Sequence, residues 1–593
     1  MTDLLAPYVA AGVLGSADVQ VARALPRLGG LADPSLEVLL GIAMAVRAVR
    51  HGSVCLELAE VADSVGIEDA DEEMLARLAA LHWPDVGEWA DALAASGLVG
   101  DGTGDTIGGA EVRPLHLRHG RLYLDRYWHQ ERRVAEIVDA RGAMLPSDLD
   151  EGALSAALDR LFPESADALQ RKAAQTAARQ WISVLAGGPG TGKTTTVAKL
   201  LAVLAAQPGP APRIALTAPT GKAAARLEEA VRSSIATFSA ADRERLGEPA
   251  AATLHRMLGW TPQRNRFKHD ADNKLPYDVV VVDEASMVAL TMMSRLVDAL
   301  RPEARLILVG DPDQLASVEA GAVLRDLTER PSLSGHVVTL THVHRFTETI
   351  QTLAAAIRDG DADAAVATLR ASPDVMLVAP EDHTAVRADI VESGSALAEA
   401  AIGGDAAAAL DALERHRVLC AHREGPYGVT LWSRHAEEWL REGDPTHPRF
   451  GTWYAGRPLL VTSNDRDLGL YNGDTGVVIR SPGGRDSSGG RDSSGGRLVA
   501  AFRDGQGVRT VATNRLAEVV TVNAMSIHKS QGSQFDVVTV VLPEPTSPLL
   551  TRELFYTAVT RAKQRVRVIG TEESVRAAVG RRIQRASGLG GNH

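Results

Sequence analysis

Residues Gly187-Gly188-Pro189-Gly190-Thr191-Gly192-Lys193-Thr194-Thr195 satisfy the spacing G-x-x-x-x-G-K-[ST]. Glycines let the main chain turn tightly, so that successive N–H groups ring an anion. The run that follows is helix-forming, and its N-terminus adds the positive end of a dipole. A polyphosphate site is therefore expected, with Lys193 bridging the β- and γ-phosphates and Thr194 holding Mg²⁺. Downstream, DVVVVDEAS sets Asp283 and Glu284 at the end of an unbroken apolar run. Asp283 is expected to bind Mg²⁺, and Glu284 to orient and deprotonate an attacking water; by themselves the pair could merely end a strand and cap a helix. A third apolar run ends in VGDPDQL, where Gln314 would contact the γ-phosphate or the water. Gly, Asp and Pro also favour a plain surface turn there. Together these residues point to hydrolysis of a nucleoside triphosphate.

The elements that must hold them read as a parallel sheet. Apolar runs at 182–186, 213–218, 278–283, 305–310 and 336–340 alternate with helical stretches, as in strands buried on both faces and joined by crossover helices. Further strands are expected at 537–543 and 565–570. Residues 1–150 read as a mostly helical docking domain, with amphipathic stretches at 35–50 and 73–97, a Gly-rich turn region at 100–110, and a hairpin within VRPLHLRHGRLYLDRYW. The tandem RDSSGG repeat in 482–496 reads as a solvated loop. The Val-, Thr- and Gly-rich segments around it suggest a small β-barrel inserted at about 457–520.

Composition narrows the class. At 45% hydrophobic and 23% charged, the chain is of globular type, and its 593 residues exceed one ordinary core. A net charge of −12 argues against a generally basic nucleic-acid binder, although a local basic groove needs no net positive charge. Cys55 and Cys420 suit neither a disulfide framework nor zinc-ligand spacing. No basic leader or membrane-length apolar run occurs, so a cytoplasmic protein is expected. Lysine is scarce, yet Lys193, Lys222, Lys529 and Lys563 all fall in chemistry-bearing segments.

The order of these segments resembles that of the superfamily-one helicases. TAPTGKAAARL resembles their motif that grips single-stranded DNA, placing Pro219, Thr220, Gly221 and Lys222 near the strand. TLHRMLG, with His255, resembles the next DNA-contacting element, and AMSIHKSQGSQFD, with His528 and Lys529, the segment that couples nucleotide to DNA. THVHRF and LFYTAVTRAK place Arg345 and Arg561 at the family's two arginine fingers, and Gln170 resembles its adenine-reading glutamine. Three stretches are similar specifically to the RecD helicase family. They are LCAHREGPYGV, GRPLLVTSNDRDLGLYNGDTG (carrying Asn464 and Asn472) and RPLHLRHGRLYLDRYWHQERRVAEI.

The resemblance implies an α/β fold with two RecA-like P-loop motor domains, at 165–345 and 346–580, beside the helical N-terminal domain and the small β-barrel insertion. It implies ATP and Mg²⁺, a single DNA strand across the motor, 5′-to-3′ movement, and RecB-like and RecC-like partner chains, with no membrane. The alternatives are a standalone RecD-like helicase, or a nucleotide-dependent regulatory or assembly subunit with little motor activity. The intact set Lys193, Glu284, Gln314, Arg345 and Arg561 argues against the last. Trp181, Trp260, Trp453 and Tyr471 could stack on bases, with core packing the favoured reading.

Overall fold

Alternation and punctuation in residues 113–124 make a tight hairpin. His119 and Gly120 lie between its strands with φ of 49° and 78°, the paired positive φ of a type I′ turn. A computed structural model describes residues 3–67, 72–100, 113–147, 149–163, 167–261, 263, 265–342, 347–443, 453–465, 467–481, 497–504 and 507–591. Most of the Gly-rich region 100–110, the RDSSGG repeat and Arg345 lie outside these residues.

The hairpin belongs to a small sheet made of β1 (Leu56–Glu57), β2 (Val99–Gly100), β3 (Leu115–Arg118) and β4 (Arg121–Leu124), in the order β1-β4-β3-β2. Helices surround it, among them Leu36–Arg50 and Asp125–Ala143. The expected amphipathic stretch 73–97 is two helices, Glu72–Ala79 and Val86–Ala95. Pro84 lies between them, and its ring and missing N–H disfavour a continuous helix.

The first lobe is a six-stranded sheet of β5 (Ile182–Gly187), β6 (Ile214–Ala218), β7 (Ala251–Thr253), β8 (Val279–Val282), β9 (Arg305–Gly310) and β10 (Val337–Leu340). Its order is β10-β5-β9-β8-β6-β7, and every pairing is parallel. Alternate residues of the central strands serve opposite cores. Ile182, Val184, Val280, Val282, Leu306 and Leu308 face one, while Leu185, Val279, Val281, Ile307 and Val309 face the other. The first core also takes Tyr123, Trp128, Val134 and Val138, so the helix Asp125–Ala143 seats the N-terminal region directly on this lobe. Strand β7 escapes a reading of apolar runs because it is three residues long and Ala-rich.

The second lobe is a parallel sheet of β11 (Val375–Val378), β12 (His416–Cys420), β18 (Ala524–Ser526), β19 (Phe535–Val541) and β20 (Ala562–Ile569), in the order β11-β20-β19-β12-β18. Between β12 and β18 the chain forms an antiparallel sheet of β13 (Pro458–Val461), β14 (Thr475–Arg480), β15 (Leu498–Asp504), β16 (Gly507–Ala512) and β17 (Val519–Thr521), in the order β16-β15-β14-β13-β17. Strands β16 and β17 are its two ends, and no pairing between them closes a barrel among the described residues. Both cysteines are free and buried, as their isolation in sequence suggests. Among the described residues, no helix is long and apolar enough to cross a membrane.

The C-terminal tail crosses from the second lobe back to the other two bodies. The Val54 N–H donates to the Ala586 carbonyl at 2.8 Å. The Ser587 hydroxyl and the Gly588 N–H donate to the buried Glu131 carboxylate at 2.8 and 2.9 Å. Leu589 is fully buried in the core shared by the N-terminal helix and the first lobe. Arg330 clamps Asp139 through two hydrogen bonds, at 2.7 and 2.6 Å, and also donates to the Leu589 carbonyl. Leu589→Ala is therefore expected to destabilise the protein by about 2–5 kcal/mol, measured as a lowered urea midpoint. An unchanged midpoint would show that the tail only rests on the surface.

Candidate active site

Strand register aligns the chemistry. Ala186 pairs with Gly310, and Val282 with Leu308, so β5, β8 and β9 end side by side. In an open parallel sheet this carboxyl edge is where ligands bind. Gly187, Asp283 with Glu284, and Asp311 with Gln314 all emerge there.

Between β5 and the helix Lys193–Ala205, Gly190 and Gly192 have φ of 79° and 81°, a region side chains disfavour. The Thr191 hydroxyl donates to the Gly188 carbonyl at 2.8 Å, and Thr196 to the Gly192 carbonyl at 2.9 Å. The Lys193 ammonium donates to the Gly187 and Gly188 carbonyls at 2.6 and 2.9 Å. Thr194 is half-buried and Thr195 exposed at the same helix start, and Pro189 stays within the loop. Gln170 is half-buried on the helix Ala168–Arg179, which leads into β5.

Glu284 follows β8 with φ 50° and ψ 40°, a left-handed conformation costing a non-glycine residue about 1–2 kcal/mol. Its N–H donates to Asp283 Oδ1 at 2.9 Å. Burial, and then the Glu284 carboxylate, push the Asp283 carboxyl above its ordinary range, while Lys193 draws it back down. A cation beside Asp283 would relieve both effects.

Gln314 is buried, and its Nε2 donates to Asp311 Oδ2 at 2.9 Å. Its Oε1 accepts a hydrogen bond from Arg561 Nη2 at 3.1 Å. Arg561 belongs to the second lobe and is only 3% exposed. Its Nε donates to the Thr557 carbonyl at 3.0 Å, which aims the guanidinium across the cleft. Burial lowers its pKa, while Glu284 and Asp311 raise it. More contacts lock the lobes together. The Leu315 N–H donates to Thr557 Oγ1 at 2.9 Å, Gln531 Nε2 to the Leu315 carbonyl at 2.9 Å, and Arg325 to Glu553 at 3.0 Å.

The expected DNA-contacting residues lie at the carboxyl ends of β6, β7 and β18 and in the inserted sheet. Thr220 caps the helix Gly221–Ile235, its hydroxyl accepting from the Ala223 N–H at 3.2 Å, with half-buried Pro219 just before it. Lys222, expected beside a strand of DNA, is committed to protein oxygens. Its ammonium donates to Ser533 Oγ at 2.8 Å and to the Gly473 carbonyl at 3.2 Å. Burial, and then Arg226, push it down to about 7. The Tyr471 ring lies against Gly221, so the NGDTG turn of the inserted sheet docks on this helix start. Asn464 Oδ1 accepts from the Asn472 N–H at 2.8 Å, bringing those two residues together.

His255 is exposed, with its ring 6.4 Å from Trp260 and 5.9 Å from Phe267. Lys529 is exposed on the turn after β18, beside half-buried His528. Burial first, then Arg585 and Arg423, lower the pKa of His528. Trp181 lies under Arg305, Trp453 under Arg457, and Trp260 against Phe267, which favours packing over base stacking for these tryptophans.

The sequence reading missed Asp311, Ser533, Tyr556 and Thr557. A usable signal existed for part of this set. Glu553, Tyr556 and Thr557 stand at i, i+3 and i+4, on one helix face. Elsewhere, His116, Asp125 and His129 bring ligand atoms within 4.8 Å of one another. The buried His116 Nδ1 has no hydrogen-bond partner, so the outer contact that orients a metal-bound imidazole is missing.

Residues 10–123 match the family described as RecBCD enzyme subunit RecD, N-terminal domain. Residues 165–379 match the AAA domain family, and 521–569 the UvrD-like helicase C-terminal domain. The RecBCD enzyme subunit RecD of Mycobacterium tuberculosis H37Rv is 50% identical over 589 residues, covering 98% of this chain and 95% of its own. That of Mycolicibacterium smegmatis is 50% identical over 585 residues, covering 98% and 97%. The ATP-dependent RecD2 DNA helicase of Deinococcus radiodurans is 31% identical over 467 residues, covering 78% of this chain but 57% of its own. Half of all residues are shared along nearly the full length of the mycobacterial proteins, and the chain belongs to the RecBCD enzyme subunit RecD family of DNA helicase subunits.

Proposed function

We propose that this chain is the 5′-to-3′ DNA motor of a RecBCD-like helicase–nuclease, acting with RecB-like and RecC-like chains at double-strand ends in recombinational repair. The observation that carries the motor reading is the contact of Arg561 with Gln314. A guanidinium from one lobe reaches the amide at the end of the phosphate-site sheet in the other. Polarity and partners rest on family membership.

In this reading residues 1–150 form the docking domain, 165–345 and 346–580 the two motor domains, and 457–520 the insertion. The loop Gly187–Gly192 and the start of the helix Lys193–Ala205 bind the triphosphate of ATP through main-chain N–H groups. Lys193 leaves the Gly187 and Gly188 carbonyls for phosphate oxygens. Thr194 and Asp283 supply the hard oxygen donors that Mg²⁺ takes, and the raised Asp283 pKa fits a place awaiting positive charge. Mg²⁺, when bound, neutralises charge on the β- and γ-oxygens. Glu284 accepts a proton from the attacking water, and Gln314 orients that water. Arg561, with Arg345, stabilises charge developing on the γ-phosphoryl oxygens.

Motion follows from where the contacts lie. The same closure that brings Arg561 to Gln314 joins Lys222 to Ser533, so hydrolysis and the grip on a strand change together. Lys222 exchanges its protein partners for DNA during part of the cycle. Separating duplex costs on the order of 1.4 kcal/mol of stacking per step, within reach of one hydrolysis event per step.

Purification with its genomically neighbouring subunits, followed by unwinding of duplexes with 5′ or 3′ tails, tests this function. The Lys193→Gln complex is expected to lose movement on the 5′-tailed strand only. Loss on the 3′-tailed strand instead would reverse the polarity, and absence of co-purifying chains would favour a standalone helicase.

A further inference from the structure

The lobes share a second contact at the phosphate loop. Tyr556 lies on the second lobe's helix Arg552–Val559 and is buried. Its hydroxyl and the Asp311 carboxylate of the first lobe meet at the same point of the phosphate loop, Gly188. The phenol oxygen stands 2.9 Å, and Asp311 Oδ2 3.9 Å, from where a side chain on Gly188 would begin, so a larger residue there would push the phenol aside. Asp311 Oδ2 also accepts from Gln314 Nε2, and Gln314 Oε1 accepts from Arg561. Hydrogen bonds join Asp311, Gln314 and Arg561, and Tyr556 stands at the Asp311 end, so the path leaves the second lobe, crosses the cleft, and returns five residues further along the chain.

The path decides which way the Gln314 amide faces. A carboxylate only accepts hydrogen bonds and a guanidinium only donates them. The NH₂ group must therefore face Asp311 and the carbonyl Arg561. Asp311 is steadied at Oδ1 by the Asp313 N–H at 3.1 Å, and the Tyr556 phenol is the donor group that the opposite lobe places at the same loop. Without that donor a buried carboxylate (2% exposed) would lose part of its compensation and be free to turn toward other donors.

We propose that Tyr556 is a positioning residue for ATP hydrolysis. It fixes Asp311, and through Asp311 the Gln314 amide, and it does so only when the second lobe closes on the phosphate loop at Gly188. Lobe opening withdraws the phenol and Arg561 together, releasing Gln314 at both ends. This inference rests on the proposed role of Gln314 at the γ-phosphate.

Tyr556→Phe keeps the ring and removes the hydroxyl. In the full-length protein, DNA-stimulated kcat for ATP is expected to fall about 10- to 100-fold, with KM changed less than about twofold. In a Gln314→Ala background the same change is expected to cost nothing further, because both act through one group. Asp311→Ala, which removes the acceptor from the first lobe, is expected to lose at least as much kcat as Tyr556→Phe and supplies the test if that variant does not fold. A wild-type kcat in Tyr556→Phe, or an equal extra loss in the Gln314→Ala background, would overturn the inference. Lys193→Gln run in parallel separates the two levels: turnover persisting there overturns the site reading itself.

Discussion

Turnover of ATP by a Lys193→Gln variant falls by about 10²–10³-fold, the cost of losing one preorganised donor to a developing oxyanion. Lys193 donates to the Gly187 and Gly188 carbonyls within the loop. Its ammonium therefore stands over the place a phosphate would occupy and has only to swing away from two main-chain oxygens. Glutamine keeps much of the length and some donor capacity but carries no charge, so the loop still folds while the anion loses its compact cation. Loss of turnover with an unchanged urea midpoint and retained partner binding is the expected result, read by phosphate release with and without single-stranded DNA. Turnover within about threefold of wild type would remove Lys193 from the site.

The second large effect is expected at Arg561. Arginine fingers are worth about 10³–10⁵ in rate, and Arg561→Ala should lose at least about 10³-fold in DNA-stimulated kcat. Arg561→Lys tells charge from shape. The guanidinium donates through Nε to the Thr557 carbonyl and through Nη2 to Gln314 at the same time, and a lysine ammonium cannot span both. Arg561→Lys should therefore retain charge and fold yet lose about 10²-fold in kcat. Near-wild-type kcat in Arg561→Lys would mean that a cation suffices and that the Gln314 contact is incidental. Both variants should bind a nucleotide analogue, because the proposed phosphate loop, Gly187–Gly192, lies wholly in the first lobe.

The phosphate loop was legible because its chemistry is local. The proposed roles of Gly190, Gly192, Lys193 and Thr194 depend on backbone conformation and neighbouring side chains, and spacing along the chain encodes that directly. The apolar runs that became β5, β8 and β9 were legible for the same reason: burial on both faces demands it of every residue in the strand. Short strands such as β7 carried too few residues to show a pattern. The amphipathic stretch 73–97 is helical as expected, in two pieces on either side of Pro84.

Lys222 shows the other side of this. Its motif pointed to nucleic acid, yet the ammonium is held by Gly473 and Ser533, which lie far along the chain in the inserted sheet and the second lobe. Its tie to Ser533 says nothing against a strand contact at another stage of the cycle. The same motif also ties the first lobe to the second.

By itself the amino-acid sequence determined that this chain carries a nucleotide-binding domain, where its glycine-rich loop and acid pair stand, and which family shares the order of its motifs. Only the tertiary structure decided that Gln314 faces Arg561, that Tyr556 abuts Gly188, and that the C-terminal tail is gripped by Glu131 and Arg330. The reason is one of range. Gln314 and Arg561 are 247 residues apart, and their meeting depends on how two sheets pack, a property of summed surface burial that no short stretch of sequence records.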